Sequence, residues 1–86
     1  HGCIINTGAV VEHESTVEDF SHIAVHATVA GRCRIGQRVM VGAGATLVPK
    51  TTVTDDVVIG AGGVVTQSLT APGVYVGVPV RFKSVE

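Results

Sequence analysis

A six-residue repeat begins within the stretch Ile4-Ile5-Asn6-Thr7-Gly8-Ala9-Val10-Val11-Glu12-His13-Glu14 and continues through most of the chain. Stepping by six residues from Ile5 to Val65 gives eleven positions, and every one of them is aliphatic. No interruption of this register is evident before Thr70. The position four residues after each aliphatic one is mostly small: it holds Ala9, Ser15, Ser21, Ala27, Cys33, Val39, Ala45, Thr51, Val57, Gly63 and Leu69.

A period of six fits neither an amphipathic helix nor a half-solvated strand. It is typical of a parallel β-helix, in which short strands meet at turns and equivalent positions stack from coil to coil. Three hexads make one triangular coil of eighteen residues, so the repeat fills about 3.7 coils. Successive coils rise by about 4.8 Å, the ordinary spacing between strands. We therefore predict an all-β fold, a parallel β-helix over residues 1–70 with aliphatic columns in its interior.

Residues 71–86 break the repeat and predict a short C-terminal capping tail. Residues 73–79 favour an extended piece that covers an edge of the β-helix, because Pro79 has no amide donor for a central strand. Covering this end protects the open strands from pairing with other chains. Because the chain starts within the repeat, we expect it to be the C-terminal domain of a longer protein.

The composition excludes several classes of function. The net charge is −1 and only 3% of residues are aromatic, so the basic surface and stacking rings of a nucleic-acid-binding domain are missing. No apolar run approaches the roughly 20 residues of a membrane span, and we expect no membrane contact by this domain. Cys3 and Cys33 form no close-spaced framework, which predicts reduced thiols and a cytoplasmic location.

His13 is the candidate catalytic base. It lies between Glu12 and Glu14, and a carboxylate can fix the tautomer of an imidazole and raise its basicity. Residues eighteen apart stack, so the Gly31 backbone should lie about 4.8 Å from that of His13. A free amide there can donate to an oxygen that becomes negative in a tetrahedral intermediate. The alternative is a solvated surface histidine among acidic neighbours.

His22 lies nine residues, or half a coil, from His13, so the two side chains should face away from each other in one chain. They share a site only if a neighbouring chain brings its His22 to His13. This predicts a symmetric oligomer with interfacial sites, and a three-sided prism favours a trimer. The alternative role for His22 is packing or interface contact alone, and we assign no role to His1 or His26.

Zinc binding is a further alternative, since three neutral imidazoles from His13, His22 and His26 can in principle ligate the metal. The γ-type carbonic anhydrases hold zinc with histidines across a trimer interface. The histidines of this chain lack the paired spacing of that class, and we expect no metal.

A resemblance to a known family is carried by four segments: Ile4-Ile5-Asn6-Thr7, Val11-Glu12-His13-Glu14, Phe20-Ser21-His22 and Gly73-Val74-Tyr75-Val76-Gly77-Val78-Pro79. They resemble the left-handed β-helix domain of bacterial nucleotide-sugar acetyltransferases. The match is best to the UDP-4-amino-sugar N-acetyltransferases that make di-N-acetylbacillosamine for protein glycosylation. Sialic-acid O-acetyltransferases and GDP-perosamine N-acetyltransferases are also similar. The resemblance implies a left-handed coil and an acetyl-CoA-dependent enzyme that acetylates the 4-amino group of a UDP-linked sugar.

The resemblance also implies roles for individual residues. His13 would take the proton from the attacking amine, and Glu14 would increase its basicity. The remaining implied positions contact acetyl-CoA: the Gly31 amide binds the thioester carbonyl, His22 reaches the coenzyme from the adjoining subunit, and Ala43 and Ala61 line the coenzyme groove through their backbones.

Two departures from the family pattern leave alternatives open. Val80 stands where the family usually has alanine, near the coenzyme end, and the family's N-terminal nucleotide-sugar domain is absent from this chain. A sugar O-acetyltransferase of the same shape and a non-catalytic trimerising β-helix module are the alternative functions.

Overall fold

A computed structural model describes residues 2–85. His1, which has no assigned role, and Glu86, the last residue of the predicted tail, lie outside the described residues. The described chain forms short strands, joined by turns, without a helix. In chain order they are β1 (Ile4–Ile5), β2 (Val10–Val11), β3 (Thr16–Val17), β4 (His22–Ile23), β5 (Thr28–Val29), β6 (Arg34–Ile35), β7 (Met40–Val41), β8 (Thr46–Leu47), β9 (Thr52–Val53), β10 (Val57–Ile59), β11 (Val64–Val65), β12 (Gly73–Val76) and β13 (Arg81–Ser84).

The strands stack into three sheets that form the sides of a prism. The first sheet has the order β1-β4-β7-β10-β12-β13, the second β11-β8-β5-β2 and the third β3-β6-β9. From β1 to β11 the partners are parallel and eighteen residues apart, as in the pairing of Ile5 with Ile23. The predicted parallel β-helix of eighteen-residue coils is confirmed.

Turns at the three corners of the prism join these sheets. We call them corner A, between the first and second sheets; corner B, between the second and third; and corner C, between the third and first. Corner A comprises residues 6–9, 24–27, 42–45 and 60–63; corner B, 12–15, 30–33 and 48–51; and corner C, 18–21, 36–39 and 54–56.

The aliphatic column fills the interior of the prism. Eight consecutive members are at most 1% exposed: Ile23, Val29, Ile35, Val41, Leu47, Val53, Ile59 and Val65. In the first coil, Val11 and Val17 are half-buried and Ile5 is 52% exposed, since no residue of the described chain covers this end. Burial of this column is the main favourable term for folding, because each buried aliphatic side chain contributes roughly 1.5–3 kcal/mol.

The position four residues after each aliphatic one holds some polar residues, and their hydroxyl groups are hydrogen-bonded. The Ser21 hydroxyl donates to the Gly36 carbonyl at 2.7 Å and accepts from the Val39 amide at 3.0 Å. Ser15 makes the same pair of hydrogen bonds at corner B. Within residues 2–85, every buried side-chain nitrogen or oxygen has a partner, so these hydroxyls escape the cost of unmet desolvation.

One residue of every corner adopts the left-handed backbone conformation, and these positions recur every six residues. Glycine occupies the position at Gly8, Gly44 and Gly62. Seven non-glycine residues also adopt it, with φ between 55 and 66°: Glu14, Phe20, His26, Arg32, Arg38, Lys50 and Asp56. This conformation costs a non-glycine residue about 1–2 kcal/mol. Hydrogen bonds to the neighbouring coils maintain this conformation. It was not predicted from the sequence, because residues of several types occupy the position.

The fourth coil is two residues shorter than the others at its second turn. Leu69 forms a parallel bridge with Val53, sixteen residues earlier. The prediction of an unbroken register up to Thr70 is therefore wrong in this coil, and Leu69 occupies an aliphatic position instead of a small one. The shortcut is stabilised because Leu69 fills the interior and the Ser68 hydroxyl accepts from the Thr52 amide at 3.0 Å.

The tail extends the first sheet. β12 covers the edge of β10 in parallel, and β13 then pairs with β12 in antiparallel fashion. The extended piece therefore covers an edge, as expected, but β12 is itself an inner strand. Pro79 lies in the turn before β13, where no ladder hydrogen bond is required. Tyr75 packs edge-to-face on Phe82, with ring centroids 5.5 Å apart.

Shortening the interior column should lower stability in proportion to the lost burial. We expect Ile35→Val to reduce the free energy of unfolding by about 1 kcal/mol, and Ile35→Asp to prevent folding because it buries an unpaired charge. Urea unfolding followed by circular dichroism measures both. The neighbouring exposed variant Arg34→Ala is the control and should change the value by less than about 0.5 kcal/mol. A folded Ile35→Asp variant with the control's midpoint would contradict this account of the core.

Candidate functional site

His13 and Gly31 stack on one another at corner B. The Arg32 amide donates to the His13 carbonyl at 3.3 Å, which fixes the two turns one coil apart. A Cβ placed on Gly31 would lie 3.9 Å from Cε1 of the His13 ring. The Gly31 α-carbon therefore faces the imidazole, as the spacing predicts.

The Gly31 amide makes no hydrogen bond within residues 2–85. Pro49 occupies the equivalent position one coil further on, and proline has no amide hydrogen. A backbone nitrogen at this position of the turn therefore needs no hydrogen-bond partner within the fold. A small ligand beside the ring thus meets an imidazole and an unused backbone donor together.

Glu14 binds Arg32 rather than a neighbour on its own turn. Its carboxylate accepts a 2.7 Å hydrogen bond from Nε of Arg32, and both side chains are about 60% exposed. Corner C carries a similar pair, in which Arg38 and Asp56 make two hydrogen bonds. The bond to Arg38 lowers the pKa of the Asp56 carboxyl, and the pKa of Arg38 is raised in return. The assigned action of Glu14 on His13 stays a prediction.

His22 lies in β4 of the first sheet, on the side of the prism opposite corner B. Its ring Nε2 is 2.8 Å from Nδ2 of Asn6, one coil earlier, and the side chain is half-buried. If the amide nitrogen donates to Nε2, the proton of a neutral ring is on Nδ1. His22 and His13 are therefore separated by the body of the prism within one chain.

Ala43 and Ala61 stack at corner A, not at corner B. The Gly62 amide donates to the Ala43 carbonyl at 2.8 Å, which holds the two turns one coil apart. Both alanines are exposed, and a Cβ added at Gly44 or Gly62 would meet nothing within 4 Å. The backbone of corner A is thus open to close approach by another molecule.

The candidate residues consequently fall into two groups. His13, Glu14 and Gly31 lie at corner B, whereas the other three predicted residues lie on the first sheet or at corner A. One chain brings together the first group only. Neither the 390 Å³ cavity beside Tyr75 and Arg81 nor the 270 Å³ cavity beside Arg34 includes a predicted site residue.

Between residues 4 and 65, charged residues are confined to one side of the prism, a feature that sequence analysis missed. Residues 4–11, 22–29, 40–47 and 58–65 form strands β1, β4, β7 and β10 of the first sheet, corner A and the second sheet, and contain no Asp, Glu, Lys or Arg. We call this side the uncharged face. All charged residues between positions 4 and 65 lie in the intervening segments: Glu12, Glu14, Glu18, Asp19, Arg32, Arg34, Arg38, Lys50, Asp55 and Asp56. Writing the sequence in rows of eighteen would have revealed it.

Within residues 2–85, no group of three or more His, Cys, Asp or Glu side chains is arranged to hold a metal ion. The same residues include no helix that is long and apolar enough to cross a membrane.

Comparison with known proteins relates this geometry to a family. Residues 32–67 match the family model described as bacterial transferase hexapeptide (six repeats). These residues carry the six-residue repeat described above. A curated relative, UDP-3-O-acylglucosamine N-acyltransferase from Bordetella avium, is 35% identical over 69 residues, which cover 80% of this chain and 19% of the relative.

Two solved structures are also similar to this hexapeptide-repeat chain. The acetyltransferase domain of PglB from Neisseria gonorrhoeae, in complex with acetyl coenzyme A, is 34% identical with a TM-score of 0.93, over 95% of this chain and 40% of that one. Serine acetyltransferase from the same species is 25% identical with a TM-score of 0.90, over 100% of this chain and 38% of that one. The chain thus spans less than half the length of these proteins. The resemblance to nucleotide-sugar acetyltransferases is confirmed.

The space at Gly31 generates a stability prediction. A methyl group on Gly31 would make only ordinary contacts, 3.7 Å from the His13 carbonyl and 3.9 Å from the ring. We expect Gly31→Ala to fold with a melting temperature equal to or above that of the unmodified chain, because alanine restricts the unfolded state. Gly42→Ala is the contrast, since its methyl would lie 2.6 Å from the Ile59 carbonyl and displace backbone. Thermal unfolding checks both, and equal destabilisation of the two variants would contradict the open geometry at Gly31.

Proposed function

We propose that this chain is the acetyl-transferring domain of an enzyme that moves an acetyl group from acetyl-CoA to the 4-amino group of a UDP-linked amino sugar. The observation that carries the proposal is the stacked pair at corner B, where the His13 ring faces Gly31 and the Gly31 amide has no acceptor within residues 2–85. A base beside an unused donor suits attack on a carbonyl group.

In the proposed reaction, the His13 imidazole acts as the base and the Gly31 amide stabilises the developing negative charge. The amine attacks the carbonyl carbon of the thioester while His13 accepts the amine proton. Negative charge then develops on the carbonyl oxygen, where the Gly31 N–H donates to it. Collapse of the intermediate breaks the carbon–sulfur bond, and the coenzyme thiolate takes up a proton as the amide product forms. Glu14 would act on His13 from the same turn, in competition with its bond to Arg32.

Two similarities support the choice of substrates. The PglB acetyltransferase domain, 34% identical, binds acetyl coenzyme A. The curated relative that is 35% identical is named as an N-acyltransferase of a UDP-linked sugar. One similar protein thus binds the proposed donor, and another is named for acyl transfer to nitrogen on a UDP-linked sugar. We place the reaction in bacillosamine-type glycan synthesis as part of the same proposal.

The proposed active form is a homotrimer, because one chain separates His22, Ala43 and Ala61 from His13. A neighbouring chain that presents its first sheet and corner A to corner B would complete the site. The uncharged face supports this arrangement, since it carries large apolar side chains that are between 39 and 52% exposed: Ile4, Val10, Val25, Met40 and Val58. Exposed apolar surface on this scale is typical of a subunit interface.

Replacement of the base tests the chemistry. We expect His13→Ala to lower turnover of acetyl-CoA with a 4-amino UDP-sugar by roughly 10²–10⁴-fold, the usual contribution of a general base. Release of free thiol measures the rate, and circular dichroism verifies the fold. Glu18→Ala, an exposed change on the charged side, is the control and should keep full activity. Turnover by His13→Ala within three-fold of the control would remove His13 from the mechanism.

The acceptor class needs a separate measurement. The same assay with the 4-hydroxyl form of the sugar should give turnover at least about ten-fold lower than with the amine, because the amine is the stronger nucleophile. A preference for the hydroxyl form would assign the chain to the O-acetyltransferases instead.

A charge on the uncharged face tests the assembly. We expect Val58→Glu, on the outer surface of β10, to dissociate the trimer because it would bury an unpaired carboxylate in the interface. Thr52→Glu places the same side chain on the third sheet and should leave the trimer intact. Sedimentation velocity gives the mass of each species. An unmodified chain that is monomeric at micromolar concentration, or a trimeric Val58→Glu variant, would exclude the proposed interface.

A further inference from the structure

Three long side chains stack at the left-handed position of corner B. They belong to Glu14, Arg32 and Lys50, each eighteen residues from the next. The Lys50 amide donates to the Gly31 carbonyl at 3.0 Å, so the lysine turn rests directly on the glycine turn. Lys50 is therefore one coil from the proposed oxyanion donor and two coils from His13.

The charges of this stack do not cancel. Glu14 is engaged by Arg32, and Lys50 forms no ion pair with any residue in the described range 2–85. Arg32 and Lys50 thus lie on adjacent coils, whose backbones are about 4.8 Å apart along the axis. Corner C differs, since Arg38 there lies under Asp56 and is neutralised. Lys50 is therefore the cation of this stack that no carboxylate of residues 2–85 engages.

The short fourth coil leaves Lys50 uncovered. Three residues, 66–68, link β11 to Leu69, whereas five residues, 48–52, link Leu47 to Val53 one coil below. The fourth coil therefore cuts across the corner and has no residue stacked on Lys50 at the left-handed position. Lys50 is exposed at the end of the stack, where a molecule lying along corner B would meet its ammonium group.

We propose that Lys50 binds a phosphate group of a substrate that lies along corner B. This inference rests on the proposed function, which places a thioester at Gly31. Both acetyl-CoA and a nucleotide-linked sugar carry phosphates, and a compact ammonium on a flexible stem suits such a group. The residue would thereby favour phosphorylated substrates over neutral ones of the same reactivity.

Titration calorimetry with three probes tests the site: coenzyme A, pantetheine and UDP. Lys50→Gln is compared with Arg34→Gln, which removes one positive charge from an exposed arginine on the third sheet that has no ion pair within residues 2–85. We expect Lys50→Gln to weaken binding of at least one phosphorylated probe by about ten-fold, as for loss of a charge-assisted hydrogen bond, and Arg34→Gln to change it by less than two-fold.

The probes identify the source of the phosphate. Weaker binding of coenzyme A with unchanged binding of pantetheine assigns it to the coenzyme, and weaker binding of UDP assigns it to the acceptor. Equal effects of the two variants on every probe, or no binding of either phosphorylated probe by the unmodified chain, would overturn the proposal. Because binding is measured without turnover, an inactive chain that still shows the Lys50 effect would refute the proposed function alone.

Discussion

The hydrogen-bond ladder between coils is the constraint on which the rest of this structure depends. Each residue of strands β1 to β8 pairs with the residue eighteen positions later, and the turn amides continue the ladder around the corners. Strands of two or three residues have no stability of their own. They persist because every coil satisfies the backbone of its neighbours and buries one aliphatic side chain per side. Stability is therefore distributed along the axis, as in other solenoids.

The same ladder copies chemical character from coil to coil. The uncharged segments recur every eighteen residues, so they stack on one another. They therefore form one continuous uncharged face instead of scattered neutral patches. The ladder also stacks His13 with Gly31 on one corner and Ala43 with Ala61 on another. A single chain thus displays two halves of a proposed site on different sides, and assembly would be what joins them.

Sequence analysis reached the coil geometry because the aliphatic positions are constrained by burial and cannot vary. The stacking of His13 and Gly31 follows from that geometry alone, and it was predicted for this reason. The left-handed corners were not predicted, because residues other than glycine occupy them more often than glycine does. The shortcut in the fourth coil escaped notice because Leu69 fits the hexad pattern and also fills the interior when the corner is shortened.

The partner of Glu14 in the structure lies eighteen residues away and not next to it in the sequence. The neighbour of Glu14 in the sequence is His13, and this suggested a local partner, yet the coil places Arg32 beside it. In a solenoid the contacts of an outward side chain are set by the residues eighteen positions away at least as much as by adjacent ones. A slip of one residue between the first two coils would set Arg32 on His13 and turn the aliphatic side chains outward. The burial that fixes the register therefore also fixes which groups meet at the candidate site, and no separate element is needed to align them.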